Sequence, residues 1–204
     1  MGKYDGLLPN EPILMPYQAF PLNGDTYALQ EFLTLKEKYN ITTLVELGSC
    51  VFGSTKWFGE NFEKVITVEI NSDFRNIGLQ RASGLNNIVS YLGDSVNMLG
   101  TMLSECDDKT CIFIDSHWQK LPLFEELQII KQSGIKPCIV VHDCYVPNEI
   151  ELGYDEYDGI AISLSSMQPY IDDIYGKDEY DYHYNTNATA TEVKRGIIYI
   201  YPKK

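Results

Sequence analysis

Thr42-Thr43-Leu44-Val45-Glu46-Leu47-Gly48-Ser49-Cys50-Val51-Phe52-Gly53-Ser54-Thr55 decides how the rest of the chain is read. The apolar pair Leu44-Val45 runs into Glu46, Gly48 and Gly53 loosen the backbone, and Ser54-Thr55 can open a helix whose first N–H groups face the loop. This is a strand, a glycine turn and a helix start. Such a turn sets a ligand at the carboxyl edge of a parallel strand, where open α/β sheets bind nucleotides. The spacing Glu-x-Gly-x-x-x-x-Gly-Ser-Thr is neither Gly-x-Gly-x-x-Gly nor the Gly-Lys-Ser/Thr ending of a nucleotide triphosphatase loop.

Downstream, Lys64 to Ile70 is rich in β-branched residues and reaches an acid, Glu69. In nucleotide-binding α/β folds an acid about 20 residues beyond the glycines accepts hydrogen bonds from ribose hydroxyls. Alone, Glu69 reads as a solvated strand end; coupled to the glycine loop, the ribose role is preferred. Ser72 to Ser83 reads as a helix closed by Gly84, Asn87 to Leu92 as a third strand, and Asp94 as the N-cap of a helix running to Ser104. Thr110 to Ser116 and Cys138 to Asp143 are a fourth and a fifth strand, joined by a helix that starts near Pro122. Five strands with near-continuous apolar cores, alternating with helices, predict an α/β fold with a parallel sheet covered on both faces.

Upstream, Asp25-Thr26 signals the cap of a helix to Tyr39. Residues 1–24 carry Pro9, Pro12, Pro16 and Pro21 among Tyr4, Tyr17 and Phe20, an aromatic arm that packs on the domain or covers a site. Residues 149–185 are crowded with acids and tyrosines, with a helix over Ser163 to Tyr175. A solvated acidic insertion is the preferred reading for most of these acids; a substrate-side rim is the sharper one. Tyr180 to Tyr184 and Gly196 to Tyr201 alternate as closing strands. No linker or repeat divides the chain, so residues 1–204 are read as one domain.

Sixteen Lys and Arg against 29 Asp and Glu give a formal net charge of −13, which disfavours nucleic acid as a partner. Met1-Gly2-Lys3-Tyr4-Asp5 has no basic segment leading into an apolar core, and no run approaches the ~20 apolar residues of a membrane span. Five cysteines with no Cys-x-x-Cys pair suit a reducing compartment, so the expectation is a cytoplasmic protein without zinc and without a membrane.

The glycine loop resembles motif I of class I S-adenosylmethionine (SAM)-dependent methyltransferases in the variant Glu-x-Gly-Ser-x-x-Gly-x-Ser-Thr, with Phe52 where the variant has its second glycine and Gly53 one place later. The resemblance implies a Rossmann-like class I methyltransferase fold: a mostly parallel seven-stranded sheet, helices on both faces, and an antiparallel C-terminal strand. It implies SAM as cofactor, with Glu46 and the backbone around Gly48 at the methionine end, Ser49, Gly53, Ser54 and Thr55 among the other cofactor contacts, and Glu69 at the ribose. Asp94 or its neighbour Ser95 would meet the adenine, and Asp115 would join the cofactor contacts.

A second constellation, Asp115-Ser116-His117-Trp118 followed by His142-Asp143-Cys144, falls at the ends of strands four and five on the same edge. With Leu121-Pro122-Leu123-Phe124-Glu125-Glu126-Leu127 and, further on, Gly153-Tyr154-Asp155, it resembles a group of small bacterial and phage-type methyltransferases bearing an Asp-Ala-His-Trp motif, and more distantly the catechol-type O-methyltransferases. In the catechol type two acids and an asparagine bind Mg²⁺. Carried over, Asp115 and Asp143 would hold a divalent metal, Mg or Mn, with Cys144 in the asparagine's place, a poor ligand for a hard cation. His142 would turn the preference toward a transition metal. The lysine base of that family is displaced, since Trp118 is followed by Gln119 and then Lys120.

Methyl transfer needs an aligned nucleophile and a destination for its proton. His117 or His142 can take that proton, with Asp115 and Lys120 as further catalytic candidates. For either histidine alone, a satisfied ring at a strand end is an equally good reading. The expected activity is SAM-dependent methylation of a small-molecule acceptor at oxygen, a sugar being one acceptor considered. A nicotinamide-dependent sugar-modifying oxidoreductase is the rival enzyme, but only Tyr199 and Lys203 have its Tyr-x-x-x-Lys spacing, and Pro202 between them excludes the helix it requires. A SAM- or nucleotide-binding module without turnover is the rival outside enzymology.

Overall fold

β1 (Thr43–Leu47) is buried along its whole length, which its apolar composition requires of a strand at the middle of a covered sheet. The structure is a computed structural model that describes residues 20–190 and 193–204. β1 pairs in parallel with β2 (Lys64–Glu69) on one side and β4 (Thr110–Ile114) on the other. β3 (Ile88–Leu92) extends the sheet beyond β2, and β5 (Cys138–Val141) beyond β4, both in parallel. β9 (Ile198–Pro202) then runs antiparallel to β5, and β8 (Tyr180–Tyr184) antiparallel to β9. The order is β3-β2-β1-β4-β5-β9-β8, so the winding reverses direction between β1 and β4. Ligands of open α/β sheets bind at such a reversal, beyond the carboxyl ends of the strands.

Alternation along β1 divides the core. Val45 and Leu47 face a layer containing Leu99 and Met102 of α4 (Ser95–Leu103), Leu127 and Ile130 of α5 (Leu123–Ser133), and Met167 and Ile171 of α6 (Leu164–Tyr175). Leu44 faces the other layer, where Phe32 of α1 (Thr26–Tyr39), Phe58 of α2 (Gly53–Asn61), Phe113 and Tyr199 meet edge to face. α3 (Ser72–Arg81) joins β2 to β3.

Asp25 caps α1 as its sequence signal implied, accepting from Tyr27 N and Ala28 N at 3.0 and 3.1 Å. Ser54 and Thr55 do not cap α2. Its N-cap is Phe52, in the left-handed region at φ 64°, with no side-chain cap; Thr55 Oγ1 turns inward to Glu46 and Ser54 Oγ accepts from Leu22 N.

The acidic stretch 149–185 is part of the fold's own fabric. It supplies α6, whose Met167, Ile171, Ile174 and Tyr175 are buried, and the sheet strand β8; a small hairpin of β6 (Glu156–Tyr157) and β7 (Ile160–Ala161) precedes them. Among the described residues no helix is long and apolar enough to cross a membrane. Of the arm, residues 20–24 are described, and Pro21–Gly24 forms a 3₁₀ turn; residues 1–19 lie outside the described part.

Candidate active site

The glycine loop lies on the carboxyl end of β1, and three details fix its path. Gly48 sits at φ +86°, and a Cβ there would collide with the carbonyl of Asp115 at the end of β4, so glycine lets the two strand ends close up. Cys50 and Phe52 also take positive φ, 48° and 64°. Phe52 thus adopts the backbone that a glycine would have adopted freely, a conformation that costs a non-glycine residue about 1–2 kcal/mol. Its buried ring offsets that cost by packing on Gly78 of α3, where a Cβ would strike the ring.

Beneath the loop, Glu46 is 1% exposed. It lies in register with Thr67 of β2, and its Oε2 accepts from Thr67 Oγ1 at 2.7 Å and Thr55 Oγ1 at 2.5 Å. Burial raises its pKa to about 8 against the opposing pull of these two hydroxyls, with Asp115 and Glu69 adding to the rise. A cavity of about 70 Å³ opens above it. Gly48, Ser49, Gly53 and Ser54 line it from the loop, Asp115 and His142 from the ends of β4 and β5, and Phe20, Leu22 and Asn23 from the arm. Ser49 Oγ is buried there without a hydrogen-bond partner, at the mouth of the α2 N-terminus. An orphan hydroxyl beside helix N–H groups is a seat for a carboxylate, and Glu46 is an acid for an ammonium. The methionine end of SAM fits this chemistry.

Glu69 ends β2 with Oε2 accepting from Cys50 N at 2.7 Å and Oε1 from Asn71 N at 2.8 Å. Burial raises its pKa while these N–H groups oppose the rise. Each oxygen keeps a lone pair for a ribose hydroxyl. Asp94 caps α4 through Val96 N and pairs with Lys120 Nζ. Ser95 Oγ is committed to Glu126 Oε1 at 2.5 Å, and Ser116 Oγ reaches the same oxygen at 2.6 Å, while Glu126 Oε2 is buried without a partner. Lys120 stands apart from the acid–histidine cluster; Asp94 raises its pKa, and an ammonium held protonated is no proton acceptor near neutrality.

Next to the cavity the two strand ends converge. His142 Nδ1 lies 3.4 Å from Asp115 Oδ1 and 3.1 Å from Asp143 Oδ1, without hydrogen-bonding alignment. His117 Nε2 is 3.0 Å from Asp143 Oδ2 and 3.8 Å from Asp115 Oδ1. Burial works against the charged form of both rings, but the acids outweigh it: Asp143 chiefly raises His117, and Asp143 with Asp115 raises His142 well above the ordinary value. Burial also opposes ionisation of Asp143, yet His142, His117 and Arg195 hold its pKa well below the usual carboxylate range. Asp115, His117 and Asp143 bring one donor atom each within 4.8 Å of one another. Cys144, expected in the place of a metal-binding asparagine, is fully buried in the core, and burial pushes its thiol up.

Sequence reasoning missed Arg195. From the segment before β9, its Nε meets Asp143 Oδ1 and its Nη2 meets Asp155 Oδ1. Asp155, one of the acids of the 149–185 stretch and part of the Gly153-Tyr154-Asp155 in the resemblance, is buried, unlike the solvated majority expected there. Tyr157 Oη donates to the His117 carbonyl at 2.9 Å and lies 3.4 Å from Asp155 Oδ2. The one signal was Lys194-Arg195-Gly196, a basic pair and a glycine in an acidic chain. The structure therefore gathers Glu46, Gly48, Ser49, Gly53, Ser54, Asp115 and His142 at one cavity, with His117 and Asp143 beside it. Thr55 acts through Glu46, and Asp94, Ser95 and Lys120 share contacts of their own.

Strand order, the single antiparallel strand β9 and the glycine loop at the reversal define a Rossmann-like class I methyltransferase fold. Solved structures agree. The chain is similar to the O-methyltransferase from Bacillus cereus in complex with S-adenosylhomocysteine, with 17% identity over 98% of this chain and 94% of that one and a TM-score of 0.62. It is similar also to the O-methyltransferase TomG from Streptomyces achromogenes, involved in tomaymycin synthesis and solved with SAM, with 14% identity over 87% and 81% of the two chains and a TM-score of 0.62. No protein-family model and no curated protein matches the sequence. At such identities the likeness shows the fold.

Proposed function

We propose that the chain is a SAM-dependent methyltransferase that methylates a hydroxyl of a small-molecule acceptor. The observation that carries the reading is one cavity where Glu46 and the orphan Ser49 hydroxyl meet Asp115 and His142. When bound, SAM supplies an electrophilic methyl group on a sulfonium that departs as a neutral thioether.

The chain's own residues do the rest. Glu46 and Ser49 would hold the amino-acid end, and Glu69 the ribose. With Nδ1 of His142 turned to Asp115 and Asp143, Nε2 is the nitrogen left for the acceptor hydroxyl; because the acids raise the ring's pKa, only the neutral fraction, which grows with pH, takes that proton as oxygen attacks carbon. The two carboxylates then stabilise the imidazolium. His117 keeps Asp143 in place. The acids and the exposed Trp118, Tyr145 and Tyr154 nearby in sequence suit a neutral or cationic acceptor, sugars included, in the cytoplasm.

A divalent metal fits the residues poorly. Both oxygens of Asp143 are taken, Oδ1 by Arg195 and Oδ2 by His117, and Cys144 faces the core.

Calorimetric titration with SAM, S-adenosylhomocysteine and NAD tests the reading, with Glu69→Ala as control. Binding of the two adenosyl ligands, weakened in the control, is expected; binding of NAD alone would overturn it. An acceptor screen with transfer lost in His142→Ala and SAM binding retained then separates an enzyme from a binding module.

A further inference from the structure

We infer that Arg195 is a built-in cation that takes up Asp143, one of the two acids a catechol-type metal would use, so that this site works without a metal. The inference rests on the reading of the cavity as a methyltransferase site, but its test does not require turnover.

Arg195 is held by backbone before it meets any acid. Gly153 and Arg195 form a bridge: Gly153 N donates to Lys194 O and Gly196 N to Gly153 O, each at 2.9 Å. Cys144 N donates to Gly196 O at 2.8 Å, and a Cβ at Gly196 would collide with the Cys144 carbonyl. The segment is thus clamped between the residue after Asp143 and the residue two before Asp155. Asp155 N also donates to Asp143 O at 3.0 Å. Two acids from different segments are brought together, and the guanidinium spans them.

A planar fork satisfies two carboxylates at once, which a point charge on a lysine would not. The Arg195 side chain is 14% exposed, so the charge acts where screening is weak. It does three things a bound dication would do: it offsets the paired acids, fixes the Asp143 carboxylate, and leaves Oδ2 directed at His117. It also takes the oxygen a dication would need for bidentate binding. Three carboxylates, Asp115, Asp143 and Asp155, face one guanidinium and two imidazoles, so the cluster can balance its charge internally.

The test is metal binding by wild type and Arg195→Met, free of tags and stripped with a chelator, followed by Mn²⁺ electron paramagnetic resonance and by melting with Mn²⁺, Zn²⁺ or Mg²⁺. Wild type is expected to leave Mn²⁺ free up to about 1 mM and to melt at the same temperature with or without each ion. Arg195→Met, with Asp143 and Asp155 released, is expected to bind Mn²⁺ at least tenfold more tightly and to melt higher in its presence. Should Arg195→Met not fold, Arg195→Met/Asp155→Asn, which removes one uncompensated acid, carries the comparison. Wild-type binding of any of the three ions below about 0.1 mM, lost in Asp143→Asn, would overturn the inference, as would a folded Arg195→Met that binds no ion. SAM titration of the same samples keeps the outcomes apart: absent SAM binding refutes the methyltransferase reading, and the metal titrations judge Arg195.

Discussion

Glu46→Gln tests the electrostatics of the cavity floor most directly. The carboxyl is buried, and its pKa stands at about 8 against an ordinary 4.5. The native state therefore binds its proton more tightly than the unfolded chain does. Below the unfolded value both states are protonated and the group contributes no pH dependence; between 4.5 and 8 the unfolded chain ionises first, and native stability falls. A gap of 3.5 at 1.36 kcal/mol per unit sets a ceiling of about 5 kcal/mol, and relaxation around a buried acid reduces it to roughly 2–5. Glutamine cannot ionise, and its carbonyl can accept from Thr55 and Thr67 as Oε2 does. Urea unfolding of both proteins at about pH 5, 7 and 9 reads the difference. The curves are expected to diverge toward alkaline pH, with Glu46→Gln the more stable there. Parallel curves would refute the reasoning. A cationic cofactor end beside Glu46 favours its ionised form, so SAM binding near pH 7 is expected to release protons, measurable as calorimetric heat that varies with buffer ionisation enthalpy.

His142→Ala is expected to lower kcat about 10²–10⁴-fold while SAM still binds. Because Asp143 and Asp115 raise the His142 pKa well above its ordinary value, outweighing burial, methyl transfer should rise with pH and reach its plateau above the ordinary histidine value; a plateau already reached by about pH 6 would remove His142 as the base. Ser49→Ala removes an unpartnered hydroxyl, so stability should hold while SAM affinity falls about tenfold; lost stability with unchanged affinity would contradict its role. Gly48→Ala forces a Cβ onto the Asp115 carbonyl at positive φ and should cost about 2 kcal/mol or more in chemical unfolding, a loss too large for an open loop position.

What was legible in the sequence followed local physics. β1, β2, β4 and β5 announced themselves as apolar, β-branched runs, and Asp25, Asp94 and Ser163 cap their helices as short polar side chains do. Phe52 was not legible, because its positive φ depends on a ring packing against Gly78, a partner 26 positions away. Ser54 and Thr55 had the chemistry of caps and were drawn instead to Leu22 and Glu46. Asp155 was marked only through the Gly153-Tyr154-Asp155 of the resemblance, and its pairing stayed hidden, since composition cannot tell a paired acid from a solvated one. Arg195 was invisible for the same reason: it meets Asp143 and Asp155 at separations of 52 and 40 residues.

The turn at Pro21–Gly24 sets a tempo. Leu22 and Asn23 hold left-handed backbone angles, Leu22 N is tied to Ser54 Oγ at 3.1 Å, and Phe20, Leu22 and Asn23 form a wall of the cavity. Any ligand that enters the cavity is therefore bounded on one side by these three residues, and how long it stays is tied to how firmly the turn is held. Among the described residues two anchors hold it, the hydrogen bond from Leu22 N to Ser54 Oγ and the Leu22 side chain, buried in the core layer that contains Phe32 and Phe58, so the wall yields only when both give way.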